Sequence, residues 1–292
     1  MVVSTGELSA LRAGDEVDGV YACTRKDRLT ARTGAPYLAL ELRDRTGALP
    51  ARVFRDADLL GGRFDRGDLV RVRGRVERFR DELQVELRSI RRAEAADPAA
   101  FLPTAYRDLD ELDGFLEHIA DEVHDADLRR LLDTFLADQR FRAELRRAPC
   151  TRAGHHAYLG GLLEHTVAVA TLAREACVLH PRLRPDLLVA AALLHDVGKT
   201  REFELGAEIR LSDEGRLVGH LALAHRLVAE RVAGLGDFPR EKALALEHCI
   251  LGHHGADALP GRRFGSPEAL ALYRLNALDA SVKGALEHGL PG

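Results

Sequence analysis

The sequence is short of cysteine, long apolar runs and excess positive charge, and each shortage closes off a class of function. Its four cysteines, Cys23, Cys150, Cys177 and Cys249, stand far apart in 292 residues with no Cys-x-x-Cys pair. That spacing argues against zinc-finger chemistry and gives no disulfide framework, so reduced and mostly buried thiols are expected. No uncharged apolar run reaches the roughly 18 residues of a membrane span, and the start, Met1 to Glu7, lacks the basic and apolar regions of a signal peptide. A cytoplasmic protein with no membrane partner is therefore expected. With a net charge of -4 the chain as a whole does not attract polyanions, and any nucleic-acid contact has to be local.

What is present is ordinary for a globular chain, and the length suits two domains. The sequence changes character near residue 95. Before it, apolar residues alternate: Leu38, Leu40 and Leu42, then Val70, Val72 and Val76 interleaved with Arg71, Arg73 and Arg75. Turn signals at Thr33 to Pro36, Arg45 to Gly47 and Gly61-Gly62 divide this region into about five strands with a short helix near Ala57 to Leu60. That rhythm predicts a small all-β, OB-like barrel over 1–92. A small, polar, proline-punctuated stretch reads as a linker over 93–105. Over 106–292 the period becomes helical, with Leu109, Leu112, Phe115 and Ile119 on one face and further helices near 126–146, 160–179, 185–197, 219–234, 239–252 and 266–287. The expected fold is thus a two-domain chain, an all-β barrel followed by an all-α domain.

The helical part carries the chemistry. His165 ends Gly160-Gly-Leu-Leu-Glu-His, and His195-Asp196 follows the apolar run Leu187 to Leu194. His220 follows Gly219, His253-His254 precede Gly255, and Asp279 sits in Leu278-Asp-Ala280. Each group lies on a different helix, so no local spacing rule proves that they meet. Imidazole with carboxylate suits divalent manganese, iron, cobalt or nickel, and an aspartate can bridge two ions. A His-Asp pair buried at the end of an apolar run costs several kcal/mol, on the order of the penalty for polar burial, unless a metal or partner satisfies it. Val197-Gly198-Lys199 then lets the chain turn and brings a cation close.

The order His165, His195-Asp196, His220, His253-His254, Asp279 resembles the HD phosphohydrolase superfamily. More narrowly, His155-His-Ala-Tyr-Leu-Gly-Gly-Leu-Leu-Glu-His165, Ala192-Leu-Leu-His-Asp-Val-Gly-Lys199, Ser212 to His220 and Ile250-Leu-Gly-His-His-Gly255 resemble the YhaM family, over nearly the whole chain. That resemblance implies an OB domain joined to an HD domain, and 3′-5′ exoribonuclease activity. It implies one ion held by His165, His195, Asp196 and Asp279, with Asp196 bridging to a second held by His220, His253 and His254. Two divalent ions are implied, Mn2+ first, with Fe2+, Co2+, Ni2+ or Mg2+ as alternatives. Asp196 and Lys199 would be catalytic, the lysine holding the transferring phosphoryl group, and His155 and His156 would touch the scissile nucleotide. Single-stranded RNA, or single-stranded DNA, is the implied partner, and a homo-oligomer is expected. Tyr273 and Asn276 stand where relatives often carry His and Asp, a departure expected to bear on substrate contacts or subunit packing more than on the metal.

In the barrel, nine arginines face five acids between Arg66 and Arg92, an excess able to track a phosphate backbone. Arg71, Arg73 and Arg75 are the candidates for that contact, and Tyr37, Phe54 and Phe79 those for base stacking. A solvated strand face with aromatics in the core is the competing reading. Two other functions fit the same residues: hydrolysis of small nucleotides by the helical domain, and a non-catalytic nucleic-acid-binding module.

Overall fold

A computed structural model of the chain describes residues 7–93 and 101–290. Most of the expected linker, residues 94–100, lies outside them. The chain divides into two compact units, 1–103 with 205–210, and 104–204 with 211–292.

In the first unit five strands close a barrel: β1 (Glu16–Thr30), β2 (Pro36–Asp44), β3 (Gly47–Val53), β4 (Leu69–Phe79) and β5 (Glu82–Arg92), in the order β1-β2-β3-β5-β4. Neighbours are antiparallel except β3 and β5, whose parallel pairing sets Ala51 beside Val85 and closes the ring. A short helix, α1 (Ala57–Gly61), follows β3. The alternation read from sequence has its physical cause here, since Leu38, Leu40, Leu42, Val70, Val72 and Val76 all point into one core. The arginines between the valines of β4 point outward.

The second unit is helical: α2 (Leu109–Asp121), α3 (Ala126–Leu136), α4 (Gln139–Arg147), α5 (Gly161–Leu179), α6 (Pro185–Leu194), α7 (Lys199–Glu202), α8 (Asp213–Leu217), α9 (His220–Leu235), α10 (Arg240–Gly252) and α11 (Pro267–His288). The expected helix over 126–146 is two, because Asp138 caps α4 by accepting from the amides of Arg140 and Phe141. The expected helix over 185–197 stops at Leu194. On α2 the buried face is Leu112, Leu116, Ile119 and Ala120, while Phe115 is exposed under the Arg107 guanidinium. The all-α expectation also missed a small hairpin, β6 (Phe203–Leu205) with β7 (Ile209–Leu211), strands too short for any period to register.

Helix α6 explains why the site forms where it does. Every residue from Leu187 to Leu194 is buried, with α5, α10 and α11 packed against it. A helix apolar on all sides belongs in the middle of a domain, so the residues that follow it, His195 and Asp196, emerge in the interior.

Candidate metal centre

His195 and Asp196 are 0% and 1% exposed. The Nδ1 of His195 lies 2.8 Å from the Ala192 carbonyl, a contact only an N–H can make, so the lone pair sits on Nε2. The end of α10 repeats the device, with His253 Nδ1 donating to the Ile250 carbonyl at 2.6 Å. The His220 Nδ1 is turned to Glu202 at 3.0 Å. Three helix termini thus present imidazole lone pairs by the same means.

Asp196 stands between two sets of these donors. Its Oδ2 lies 3.4 Å from His195 Nε2 and 3.6 Å from His165 Nε2. Its Oδ1 lies 3.3 Å from His253 Nε2 and 3.7 Å from His220 Nε2. His254 completes the second set, its Nε2 2.8 Å from that of His220. Donor atoms of His165, His195 and Asp196 form one group within 4.8 Å, and those of Asp196, His220, His253 and His254 another. Asp196 Oδ1 and His253 Nε2 are buried without a hydrogen-bond partner. Buried orphan acceptors facing one another fit a cation between them, so the residues present suit divalent metal.

Charge in the cluster follows from burial and neighbours. Burial works to raise the Asp196 carboxyl, but the Lys199 ammonium and the histidines outweigh it and hold Asp196 well below the ordinary range. Burial pushes His253 down to about 3 and His155 down to about 4, so both are neutral ligands or acceptors at physiological pH. Burial first, and then the nearby carboxylates of Asp196 and Asp279, drive the Cys150 thiol up to about 12, despite the ammonium beside it.

Asp279 sits differently from the other expected ligands. Its Oδ2 lies 2.6 Å from the Nδ1 of His165, the nitrogen turned away from Asp196, and 3.0 Å from the Nε2 of His156. The Tyr158 hydroxyl, 3.0 Å from the other nitrogen of His156, donates to Glu164, which also accepts from Lys283. His156 is only 1% exposed, with both nitrogens engaged, one by the Tyr158 hydroxyl and the other by Asp279. Lys199 is likewise buried, its Nζ 2.7 Å from Asp196 and 3.4 Å from the Cys150 sulfur. His155 is half-buried, with its ring 5.4 Å from that of His165.

Two further expectations change. Gly198 has an ordinary right-handed helical backbone, φ -63° and ψ -22°, so no special turn requires it. Glycine is needed there because a Cβ would collide with the His220 carbonyl and the Ala224 amide. Asn276, expected to affect substrate or packing, lies in the cluster. Its Oδ1 is 3.0 Å from His165 Nε2, and its amide donates to the His253 carbonyl at 3.1 Å. Sequence reasoning singled out Asn276 but misjudged its place. Glu202, Glu164 and Cys150 were missed, and only the nearness of Glu164 to His165 gave any local hint.

On the barrel, Arg71 and Arg73 both pair with Asp18, at 2.7 and 3.0 Å, and Arg75 donates to the Gly14 carbonyl. Tyr37 packs against Phe54 with centroids 5.6 Å apart, and Phe54 and Phe79 are both exposed.

Fold and cluster together define a class, an OB-fold barrel joined to an HD domain. The corresponding family models match, the OB-fold nucleic acid binding domain over 20–93 and the HD domain over 162–281. Over 297 residues the chain is 30% identical to the 3′-5′ exoribonuclease YhaM of Shouchella clausii, covering 96% of this chain and 89% of that one. It is 28% identical to the YhaM proteins of Listeria monocytogenes and Bacillus velezensis, covering 96% of this chain and 90% of each. The chain belongs to the YhaM family. Among the described residues no helix is long and apolar enough to cross a membrane.

Proposed function

We propose that this chain is a metal-dependent exoribonuclease that trims single-stranded RNA from its 3′ end and releases nucleoside 5′-monophosphates. The observation that carries the proposal is the position of Asp196, whose two oxygens each face a separate set of imidazole donors. His165, His195 and Asp196 would hold one ion, and Asp196, His220, His253 and His254 the other, with Asp279 acting through His165 or beside it. Manganese is the ion that the likeness to the YhaM family puts first, with Fe2+, Co2+ and Ni2+ as ions that imidazole and carboxylate donors also suit. Bound there, the two ions supply Lewis acidity toward the phosphoryl oxygens and a water acidic enough to act as hydroxide near neutral pH.

The chain's own residues do the rest. Asp196 stays ionised because Lys199 and the surrounding histidines outweigh its burial. Lys199 stays protonated, held up by Asp196 against burial, and is the cation that meets charge developing on the phosphoryl group. Burial of the cluster keeps bulk water from screening these charges. Arg71, Arg73 and Arg75 would track the RNA backbone, and Tyr37, Phe54 and Phe79 offer ring faces to bases. A cytoplasmic location and a homo-oligomer belong to the same reading.

The test is the protein with 5′-labelled single-stranded RNA and Mn2+, beside labelled DNA and a mononucleotide panel. A ladder shortening from the 3′ end, abolished by His195→Ala and by Asp196→Ala, is expected. No shortening, or shortening undiminished in both variants, refutes the proposal.

A further inference from the structure

Neither histidine–aspartate group uses sulfur, yet a buried thiol adjoins them. Cys150 follows α4 and is fully buried, its Sγ 3.9 Å from Asp196 Oδ2 and 3.4 Å from Lys199 Nζ. Cys150, His155 and His165 each offer a donor atom, and the three atoms lie within 4.8 Å of one another. His155 Nδ1 is buried and has no hydrogen-bond partner. A histidine with a partnerless buried nitrogen, a thiol and a second imidazole make up a further donor set, and His165 is common to it and the centre described above.

The donor types choose the ion. One thiolate and two imidazoles suit a soft or borderline cation such as Zn2+ or Cd2+ and suit Mn2+ or Mg2+ poorly. Donors on one tetrahedral zinc lie roughly 3.5 Å apart, given bonds of about 2.1 Å to nitrogen and 2.3 Å to sulfur. Closing the present group onto one ion therefore needs only small side-chain adjustments. The neighbouring ammonium of Lys199 offsets the charge that a thiolate brings to a buried position.

We propose that Cys150, His155 and His165 form a thiophilic ion site, taking Zn2+ or Cd2+, that overlaps the manganese centre through His165. On binding, the sulfur–hydrogen bond is replaced by a sulfur–metal bond and the proton passes to solvent. His165 then no longer serves the position it shares with His195 and Asp196. Zinc is accordingly an inhibitor of an enzyme that manganese activates. The inference rests on the reading of the metal centre given above.

Cobalt(II) is the probe, because thiolate coordination gives it a charge-transfer band in the near ultraviolet that nitrogen and oxygen donors do not. The full chain is titrated with Co2+, then with Zn2+, beside Cys150→Ser. The wild type is expected to show the sulfur band, lost as zinc displaces cobalt. The variant should bind cobalt without that band. In the manganese-driven RNA assay the zinc midpoint should rise at least about tenfold in Cys150→Ser, each midpoint being read against that protein's own zinc-free rate. Cobalt bound by the wild type without a sulfur band overturns this inference alone. A band that persists in the variant, or an unmoved zinc midpoint, does the same. Binding of no cobalt by the wild type overturns the metal centre and this site with it.

Discussion

Asp196 Oδ1 and His253 Nε2 lie 3.3 Å apart, both buried, and neither has a hydrogen-bond partner. Since His253 Nδ1 already donates to Ile250, two electron-rich atoms, each shielded from solvent, face each other. Each unsatisfied buried group costs about 1–3 kcal/mol, and a cation between them removes that cost. Mn2+ is therefore expected to raise the melting temperature, by the equivalent of about 2.7 kcal/mol at a hundred times its dissociation constant. EDTA should reverse the shift and Asp196→Asn should greatly reduce it. A thermal shift assay checks this, and a wild-type transition indifferent to manganese would contradict it.

His156 lies behind the centre, 3.0 Å from Asp279, which in turn lies 2.6 Å from His165. A carboxylate aligning a ligand imidazole typically affects metal affinity by about 10–100-fold. In His156→Ala the manganese needed for half-maximal activity should rise by an amount in that range, with much of the rate recovered at saturating metal. His156→Gln, which keeps a hydrogen-bonding group, should lie between. If His156 instead contacts RNA, KM for RNA will move and the manganese requirement will not.

Acid should weaken the ion-free protein. Burial lowers His253 to about 3 and His155 to about 4, whereas an unfolded imidazole takes its proton near 6.5. Between those values the unfolded chain binds more protons than the folded one, so stability present above about pH 6.5 is lost as the pH falls. Asp279, held low by His156 and His165 against its burial, adds a loss below the ordinary carboxylate range. His156 runs the other way, because its contacts with Asp279 and Glu164 raise it against burial. Its contribution is full below about 6.5 and fades as the pH rises through its folded value. Urea midpoints in EDTA between about pH 7.5 and 5 should fall with acid, and His253→Gln should flatten the slope.

The barrel was legible because alternation needs only neighbours: Val70, Val72 and Val76 face one core, and the arginines between them face out. The HD residues were legible as a set through resemblance, while their convergence depends on α6 running through the domain interior. What stayed hidden depends on distant partners. Asn276 meets His165 across 111 residues, and Glu202 meets His220 across 18, and no local period encodes either contact. Gly198 was noticed for the wrong reason, since what demands glycine there is the approach of α9 and not the shape of a turn.

Asp18 holds Arg71 and Arg73 together on the barrel surface. If these guanidiniums track RNA, the carboxylate competes with phosphate for them. Asp18→Asn is expected to tighten binding of single-stranded RNA measured in EDTA, where no cleavage intervenes. The dependence of log affinity on log salt should steepen by about 0.7 for each arginine released to a phosphate. Arg73→Ala should weaken binding and flatten the slope by a similar amount. Fluorescence anisotropy across a salt series reads both, and two unmoved slopes would remove these arginines from the RNA path.

Gly198 separates the end of α6 from the start of α9, with the His220 carbonyl and the Ala224 amide against its Cα. In Gly198→Ala the backbone angles are already acceptable to alanine, so the added methyl acts only by pushing α9 outward. His220 opens α9, and it moves with the helix away from Asp196 and His253. Overpacking of this kind costs about 1–3 kcal/mol, and the loss should fall unevenly on the two donor groups. His165 lies on α5 and His195 at the end of α6, whereas His220 opens α9, so calorimetric titration should find one manganese retained near its original affinity and the other much weaker. Equal weakening of both, or of neither, would mean that α9 does not set the second group.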